Sequence, residues 1–564
     1  MGRFNLLDEK WLKVMVDDTG AVKEVSLIDL FREAHLYKGL AGETVTQDFA
    51  TLRFLLAVLH TVYSRFDASG DVYDILELDE MYRPIEDIDE DDYQELNQAF
   101  METWKSLWQE KEFGSIIEDY LTKWRKSFYL FDDEKPFAQI SKEGLDKRKI
   151  SRARPGSVSG KNINRLISES NNKKALFSPK YDSKNNKELL SESEIARWLL
   201  TFHGYVGLSD KVIFGTDKYK ASKGWLFDIG GIYLEGNTLT ETLLLNLTLV
   251  HPEESRRNNT QKPAWEQTFD TVLDILLNER PIDNLAELYT NWSRAIYIDP
   301  ETDVTQPFSF DIIKVPEINH QDQFLEVMTV WKDNKTGDWK GSLTPRKHTP
   351  EQAIWRSFGL LTLPNTEEHR KPEIVDWLND LLDLDIEVES NFKFVSMRSD
   401  ENATSWVPVD EIYDVLSIGE HVVTDVQENG WVPRINDEVE KIKRVIDQVL
   451  RGFANDLNEI RNSKNSDSVN RIVSEAYFEI DLPFRNWLSL LNVKDSKHEK
   501  VTEWQRILRK LIIFEADKLV RNAGNREFTG IHKDSKQINI ATAYNKFMYR
   551  LNKEFPKGET NDRN

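Results

Sequence analysis

Residues 435–460 read INDEVEKIKRVIDQVLRGFANDLNEI. In this stretch Ile435, Val439, Ile442, Ile446, Val449, Phe453, Leu457 and Ile460 recur at steps of three or four, the spacing that gathers apolar side chains on one face of an α-helix. Three more stretches with that period follow. One covers about 466–491, with Ile472, Ala476 and Trp487; a second about 497–522, with Trp504, Leu508, Leu511 and Leu519; a third about 538–555, with Tyr544, Phe547, Met548 and Leu551. Pro483 is expected to kink or break the first of these, since its ring removes a backbone donor. Polar breaks separate the helices, notably Arg461-Asn462-Ser463-Lys464-Asn465 and Asn522-Ala523-Gly524-Asn525. Helices with apolar stripes on short links bury those stripes against one another, so 406–564 is expected to form a C-terminal four-helix bundle.

Upstream the pattern changes. Phe4, Leu6 and Leu7 lead to Trp11, Val14 and Val16, then Asp17-Asp18-Thr19-Gly20, then Val22 and Val25, which reads as a β-hairpin with turn residues at its tip. Ser26 stands where a serine would cap a helix, and Phe49, Leu52, Leu55, Leu56 and Leu59 fall on one helical face. From Gly204 to about Phe394, glycines, prolines, tryptophans and short β-like runs alternate. Residues 1–405 are therefore expected to be one large mixed α/β domain, and the fold class α+β.

Composition narrows the function. The chain has 564 residues, 39% hydrophobic and 30% charged, enough apolar material for a core. It has no cysteine, which excludes disulfides, thiolate metal sites and cysteine nucleophiles, and makes a reducing cytoplasm the expected compartment. No run of 18 apolar residues points to a membrane. The phosphate loop G-x-x-x-x-G-K-[ST], H-E-x-x-H, G-x-S-x-G and a helix-opening G-x-G-x-x-G are all missing, which counts against an enzyme. His203 and His348 are the histidines expected to be exposed. Neither a catalytic residue nor a metal site nor a cofactor is assigned.

With Lys+Arg 74 against Asp+Glu 97, the net charge is −23, so any contact with nucleic acid must go through a local patch. Residues 147–187 supply one, with twelve basic residues and only Glu169 and Asp182 as acids. Their Ser, Asn and Gly content makes them a long mobile loop outside any packed element. Lysines there, including Lys173, Lys174 and Lys180, can neutralise phosphates, and Phe177 can stack on a base. Two other tips stand out. The turn 331–337 carries Lys332 and Lys335. The polar loop 398–404, just before the bundle, carries Glu401, Asn402 and Ala403, and an amide there can probe a groove or wedge between bases. As bland alternatives these are a solvated linker, a surface turn and an interdomain loop.

The arrangement resembles the CasA-type large subunit of the type I-E CRISPR Cascade surveillance complex. Phe4-Asn5-Leu6-Leu7-Asp8-Glu9-Lys10-Trp11 with Val25-Ser26-Leu27 looks like that family's N-terminal hairpin. Phe131-Asp132-Asp133-Glu134-Lys135-Pro136-Phe137-Ala138-Gln139 looks like its P-F-x-Q stretch. Leu288-Tyr289-Thr290-Asn291-Trp292-Ser293-Arg294-Ala295-Ile296 is similar to its Y-T-W-x-S-R-x-I segment with one altered spacing, and Ala353-Ile354-Trp355-Arg356 to its A-L-W-R. The resemblance implies a non-catalytic protein that inspects double-stranded DNA for a protospacer-adjacent motif, helps start unwinding for crRNA pairing and recruits a helicase–nuclease. It implies as partners the crRNA 5′ handle and the crRNA-loaded Cascade subunits (backbone, small helical and repeat-processing). It also implies site residues: a glycine loop at Lys220, Ala221, Ser222, Lys223 and Gly224; a minor-groove lysine at Lys332 or Lys335; a wedge at Asn402 beside Glu401 and Ala403; and Phe177 on the long loop. Glu401-Asn402-Ala403-Thr404 stands where family wedges often carry Gln beside Asn, and the zinc site of certain relatives needs cysteines this chain lacks. Two other classes stay open from the residues: a stand-alone hydrolase or nucleotide-modifying enzyme, and a purely structural scaffold.

Overall fold

Asp17 and Gly20 close the expected hairpin. Asp17 Oδ1 accepts from the Thr19 amide at 2.8 Å, Gly20 takes φ +82°, and Leu12–Met15 pairs with Val22–Val25. The Ser26 hydroxyl accepts from the Asp29 amide and caps Leu27–Glu33. The computed structural model describes residues 2–170, 175–177, 188–208, 212–216, 219, 223–256, 260–278, 280–337, 339–384, 386, 391–401, 406–533 and 536–555. It divides into two compact units, Met1–Glu351 with Asn365–Val415, and Gln352–Pro364 with Leu416–Asn564.

The first unit is built around the helix Val45–Tyr63, which is buried on nearly every side and not on one face alone. The helices Glu192–Tyr205 and Leu285–Tyr289 pack against it. Its buried Arg53 is matched by Glu326 through two hydrogen bonds of 2.8 and 2.6 Å, which compensates a charge in the core. Among the described residues this unit holds five small sheets, three of which bear on the candidate segments. In one, Asn391–Ser399 lies between Gly230–Glu235 and Pro408–Ser417, in register from Asn391↔Glu235 to Ser396↔Gly230. In the second, Ser309–Lys314 lies between Gly156–Ser159 and Arg294–Tyr297. In the third, Trp331–Asp333 lies between Leu343–Pro345 and His369–Arg370.

Two expectations are corrected here. The first half of 147–187 is packed. Gly156–Ser159 pairs with Ser309–Lys314, the π-helix Asn162–Leu166 follows, and Val158, Ile163, Leu166 and Ile167 are buried. Four apolar side chains suffice because the strand borrows its partner from about 150 residues downstream. Residues 171–174 and 178–187 lie outside the described residues. His203 and His348 are also not exposed surface groups. His203 is buried with Nε2 3.0 Å from Ala138 O, half-buried His348 has Nε2 3.0 Å from Gly231 O, and burial pushes both down to about 4.

In the second unit the first amphipathic stretch is one rod, Trp431–Arg444, a π-helical turn Val445–Leu450, and Arg451–Arg461. It ends at Asn462, whose φ of +56° is the left-handed cap that asparagine tolerates. Asp467–Ser489, Lys497–Arg521 and Ile540–Glu554 complete the four helices. Pro483 does not break its helix, which runs on to Ser489. Phe484 and Trp487 just beyond it pack as tilted rings against Trp504, with centroids 4.9 and 5.7 Å away, packing that outweighs one lost hydrogen bond. The segment Gln352–Pro364 belongs to this unit: Trp355 Nε1 donates to Asp481 at 2.7 Å and the Arg356 guanidinium lies 3.6 Å over the Tyr477 ring. Among the described residues, no helix is long and apolar enough to cross a membrane.

Candidate nucleic-acid interface

Gly224 is glycine for want of space. Its amide donates to Val206 O, and a Cβ there would lie 2.2 Å from Gly204 O at the end of the helix Glu192–Tyr205. Lys220, Ala221 and Ser222 lie outside the described residues. Lys223 is held, not free. Its ammonium pairs with Asp228 and sits 4.7 Å over the ring of Trp406, a cation–π contact. Lys347 reaches the other oxygen of Asp228 at 3.6 Å and lies 4.0 Å over Phe227. Burial raises the Asp228 carboxyl, but the two ammonium groups outweigh it and hold the group below the usual carboxylate range. Burial lowers Lys347, and Asp228 opposes that. Ligand atoms of Asp228, Glu317 and His320 lie within 4.8 Å of one another, as a cation would need. The two lysines already balance Asp228, however, and their charge opposes a cation there.

The polar loop at 398–404 joins two strands of the first unit. Asn391–Ser399 and Pro408–Ser417 are neighbours in one sheet, and Asp400 and Val407 close the tip with hydrogen bonds of 3.1 Å in both directions. Exposed Glu401 takes φ +52° at the start of the tip, while Asn402 and Ala403 lie outside the described residues. The end of the tip is anchored, since Leu208 N donates to Trp406 O at 2.7 Å and a Cβ at Gly207 would fall 1.9 Å from that oxygen. The structure thus brings Lys223 to the base of the Glu401 tip. Lys347 and Trp406 join them, residues the sequence did not single out because three distant segments supply the group.

Lys332 and Lys335 share another hairpin. Trp331 is fully buried, so alternation along the strand turns Lys332 outward, where it is exposed and has no ion pair among the described residues. Its cross-strand neighbours are Thr344 and His369. Lys335, 66% exposed, pairs with Glu368 at 2.8 Å and Asp333 at 2.9 Å, which raise its affinity for the proton, Glu368 foremost. Leu343–Pro345, in the same sheet, runs directly into Arg346 and Lys347, so this hairpin is chained to the Lys223 group. Arg346 is half-buried, and burial lowers its pKa. On the long loop, half-buried Phe177 lies 5.9 Å from the Trp198 ring, and its amide donates to Arg165 O. Lys173, Lys174 and Lys180 lie outside the described residues.

Comparison with known proteins places the chain. Residues 5–513 match the family described as CRISPR-associated protein Cse1. The CRISPR-associated protein CasA/Cse1 of Thermus thermophilus is 25% identical over 368 residues, 64% of this chain and 60% of that protein, so the chain aligns with less than two thirds of this relative's length. The crystal structure of Thermobifida fusca Cse1 superposes with a TM-score of 0.72 at 23% identity, covering 98% of both chains. A chain of a solved CRISPR RNA-guided surveillance complex superposes with a TM-score of 0.62 at 15% identity, covering 98% of this chain and 100% of that one. The fold is that of these structures, and by a match over nine tenths of its length the chain belongs to the CRISPR-associated Cse1 family, the CasA-type proteins.

Proposed function

We propose that this protein is the non-catalytic large subunit of a type I-E Cascade complex, which recognises the protospacer-adjacent motif in double-stranded DNA, helps start unwinding for crRNA pairing and recruits the helicase–nuclease. Membership of the Cse1 family over residues 5–513 carries this reading. The full-length likeness in fold to a chain of an RNA-guided surveillance complex supports it. In this reading the chain works in the cytoplasm beside the crRNA 5′ handle and the crRNA-loaded subunits, and 1–405 is the domain that reads DNA. Lys332 or Lys335 enters the minor groove, the Glu401-Asn402-Ala403 tip wedges between bases, Lys220–Gly224 is the glycine loop that takes part in reading the motif, and Lys173, Lys174, Phe177 and Lys180 meet the DNA and crRNA region. Minor-groove readout separates few bases, so a short, tolerant motif is expected. Unstacking at the wedge costs a few kcal/mol per step, offset by RNA–DNA pairing.

The test is binding of motif-bearing duplex by the reconstituted complex with Lys332→Ala, Lys335→Ala or Asn402→Ala. Assembly is expected to survive and binding to fall in the Asn402 variant and in at least one lysine variant. Wild-type binding by all three variants would remove the site assignment. Purified protein with and without divalent metal is expected to turn over neither DNA, RNA nor nucleotides. Robust turnover abolished by one carboxylate substitution would favour a hydrolase instead.

A further inference from the structure

Two of the candidate segments hang on one short stretch, residues 204–208 at the end of the helix Glu192–Tyr205. Gly224, the last residue of the candidate glycine loop, donates its amide to Val206 O at 2.9 Å and packs against Gly204 with no room for a Cβ. Two residues further on, Leu208 N donates to Trp406 O at 2.7 Å, and a Cβ at Gly207 would overlap that same oxygen. Trp406 closes the tip that Glu401 opens. The end of one loop and the end of the other are therefore fixed to neighbouring peptide groups. A side chain joins them as well, since the Lys223 ammonium lies 4.7 Å over the Trp406 ring.

Lys223 is badly placed to meet a phosphate itself. Its side chain is 13% exposed, its ammonium is paired with Asp228, and the Phe227 ring lies 5.5 Å away. Reaching DNA would break the ion pair and the cation–π contact together. It would leave Asp228 with Lys347 alone, at 3.6 Å. Separating one partner from a largely enclosed pair is costly, because the charge left behind has lost its water as well as its partner. Exposed Lys332 faces neither loss. What Lys223 does suit is holding a ring: a cation over an indole face is attracted to that face, so it fixes the side of the ring as well as its place. The opening end of the tip is tied to the same group. Burial disfavours the charge of Lys347, and Glu401 is among the groups that restore it.

We infer that Lys223 is a positioning residue: it sets the tip between Glu401 and Trp406 through its hold on the Trp406 ring, and does not itself contact DNA. The inference rests on the proposed function, in which that tip wedges between bases. The test is binding of motif-bearing and motif-free duplex, over a range of salt, by the reconstituted complex carrying Lys223→Met, Lys223→Arg, Trp406→Leu, or Lys223→Met together with Trp406→Leu. Lys223→Met and Trp406→Leu are each expected to weaken binding of the motif-bearing duplex about tenfold, and the double variant to bind no more weakly than either, as for residues that act as a unit. Lys223→Arg, which can pair with Asp228 and stack on the indole, should restore binding. The slope of log affinity against log salt and the binding of motif-free duplex should stay as in the wild type, since no phosphate contact is lost. Trp406→Leu leaves the Lys223–Asp228 pair in place, so its effect stands even where Lys223→Met lowers the melting temperature. A slope reduced by about one in Lys223→Met would make Lys223 a phosphate contact and overturn the inference; losses that add in the double variant would do the same. Asn402→Ala in the same assay separates this inference from the reading beneath it. A loss with Asn402→Ala beside wild-type binding with Trp406→Leu overturns the inference alone; wild-type binding with Asn402→Ala overturns the reading of the tip, and the inference with it.

Discussion

Lys332 and Lys335 stand three residues apart on one hairpin, yet their surroundings differ. Lys332 points out of its sheet with no partner carboxylate among the described residues, whereas Lys335 must leave Glu368 and Asp333 before it can meet a phosphate or a base edge. Under the proposed function Lys332→Ala is therefore expected to weaken duplex binding by the assembled complex more than Lys335→Ala, and to lower the slope of log affinity against log salt by about one. Neither change should move the melting temperature of the free protein. A larger loss with Lys335→Ala would reverse the assignment. Gly224 makes a different prediction. Its φ of −57° suits any residue, but an added Cβ meets Gly204 O at 2.2 Å, which is rigid backbone. Gly224→Ala is expected to destabilise the first unit by about 1–3 kcal/mol, as overpacking does, in denaturant unfolding of the free protein. Sequence could mark this glycine as part of a loop. It could not show that the demand comes from the helix Glu192–Tyr205, because that contact joins segments with no shared periodicity.

At the scale of elements, legibility follows the range of the contacts. The helices of the second unit could be read to within a few residues, since each carries its own period and its own breaks. Asn462 closes the first at the polar break that marked it. The strands were far harder. Gly156–Ser159 reads Gly-Ser-Val-Ser, a loop by composition, and becomes a strand only beside Ser309–Lys314. The candidate tips fared between these extremes: 331–337 was legible as a turn, while 398–404 looked like a linker because its closing strand, Pro408–Ser417, has little apolar alternation. The same logic predicts where the bundle is weakest to mutation. Trp504 is fully buried, with Phe484 and Trp487 against it. Trp504→Ala is expected to cost about 3–5 kcal/mol. Hydrogen exchange should quicken through Lys497–Arg521 and Asp467–Ser489 while Val45–Tyr63 keeps its protection. Uniform loss in both units would show that they do not unfold independently.

For the whole molecule the decisive quantity is charge, on the surface and in the core. A net −23 repels the phosphate backbone, so under the proposed function the free chain should bind DNA weakly and acquire affinity only within an assembly. The core sets the pH range in which the chain can do this. Burial holds His60 at about 3 and His203, His251 and His348 at about 4, so the unfolded chain takes up protons below its ordinary histidine value of about 6.5 that the folded chain refuses. Their contribution is complete above 6.5 and is lost as pH falls toward 4. Burial acts the other way on Asp48, raised to about 7, and Glu373, raised to about 8. Their protonated forms favour the fold below about 4, and that stability is lost as pH rises through 7 and 8. Between pH 4.5 and 6.5 the four histidines act against the two carboxyls, and by these six groups stability should rise with pH; above 6.5 the histidines have made their contribution, Asp48 and Glu373 prevail and it should fall. Urea unfolding of the free protein at pH 4.5, 6.5 and 8.5, followed by hydrogen exchange in Val45–Tyr63, is expected to place the maximum near 6.5. His60→Phe, which keeps a ring against Tyr289 and removes one titrating group, should flatten the acid limb and leave the alkaline limb in place. An acid limb as steep as in the wild type would show that His60 is not held neutral by the fold.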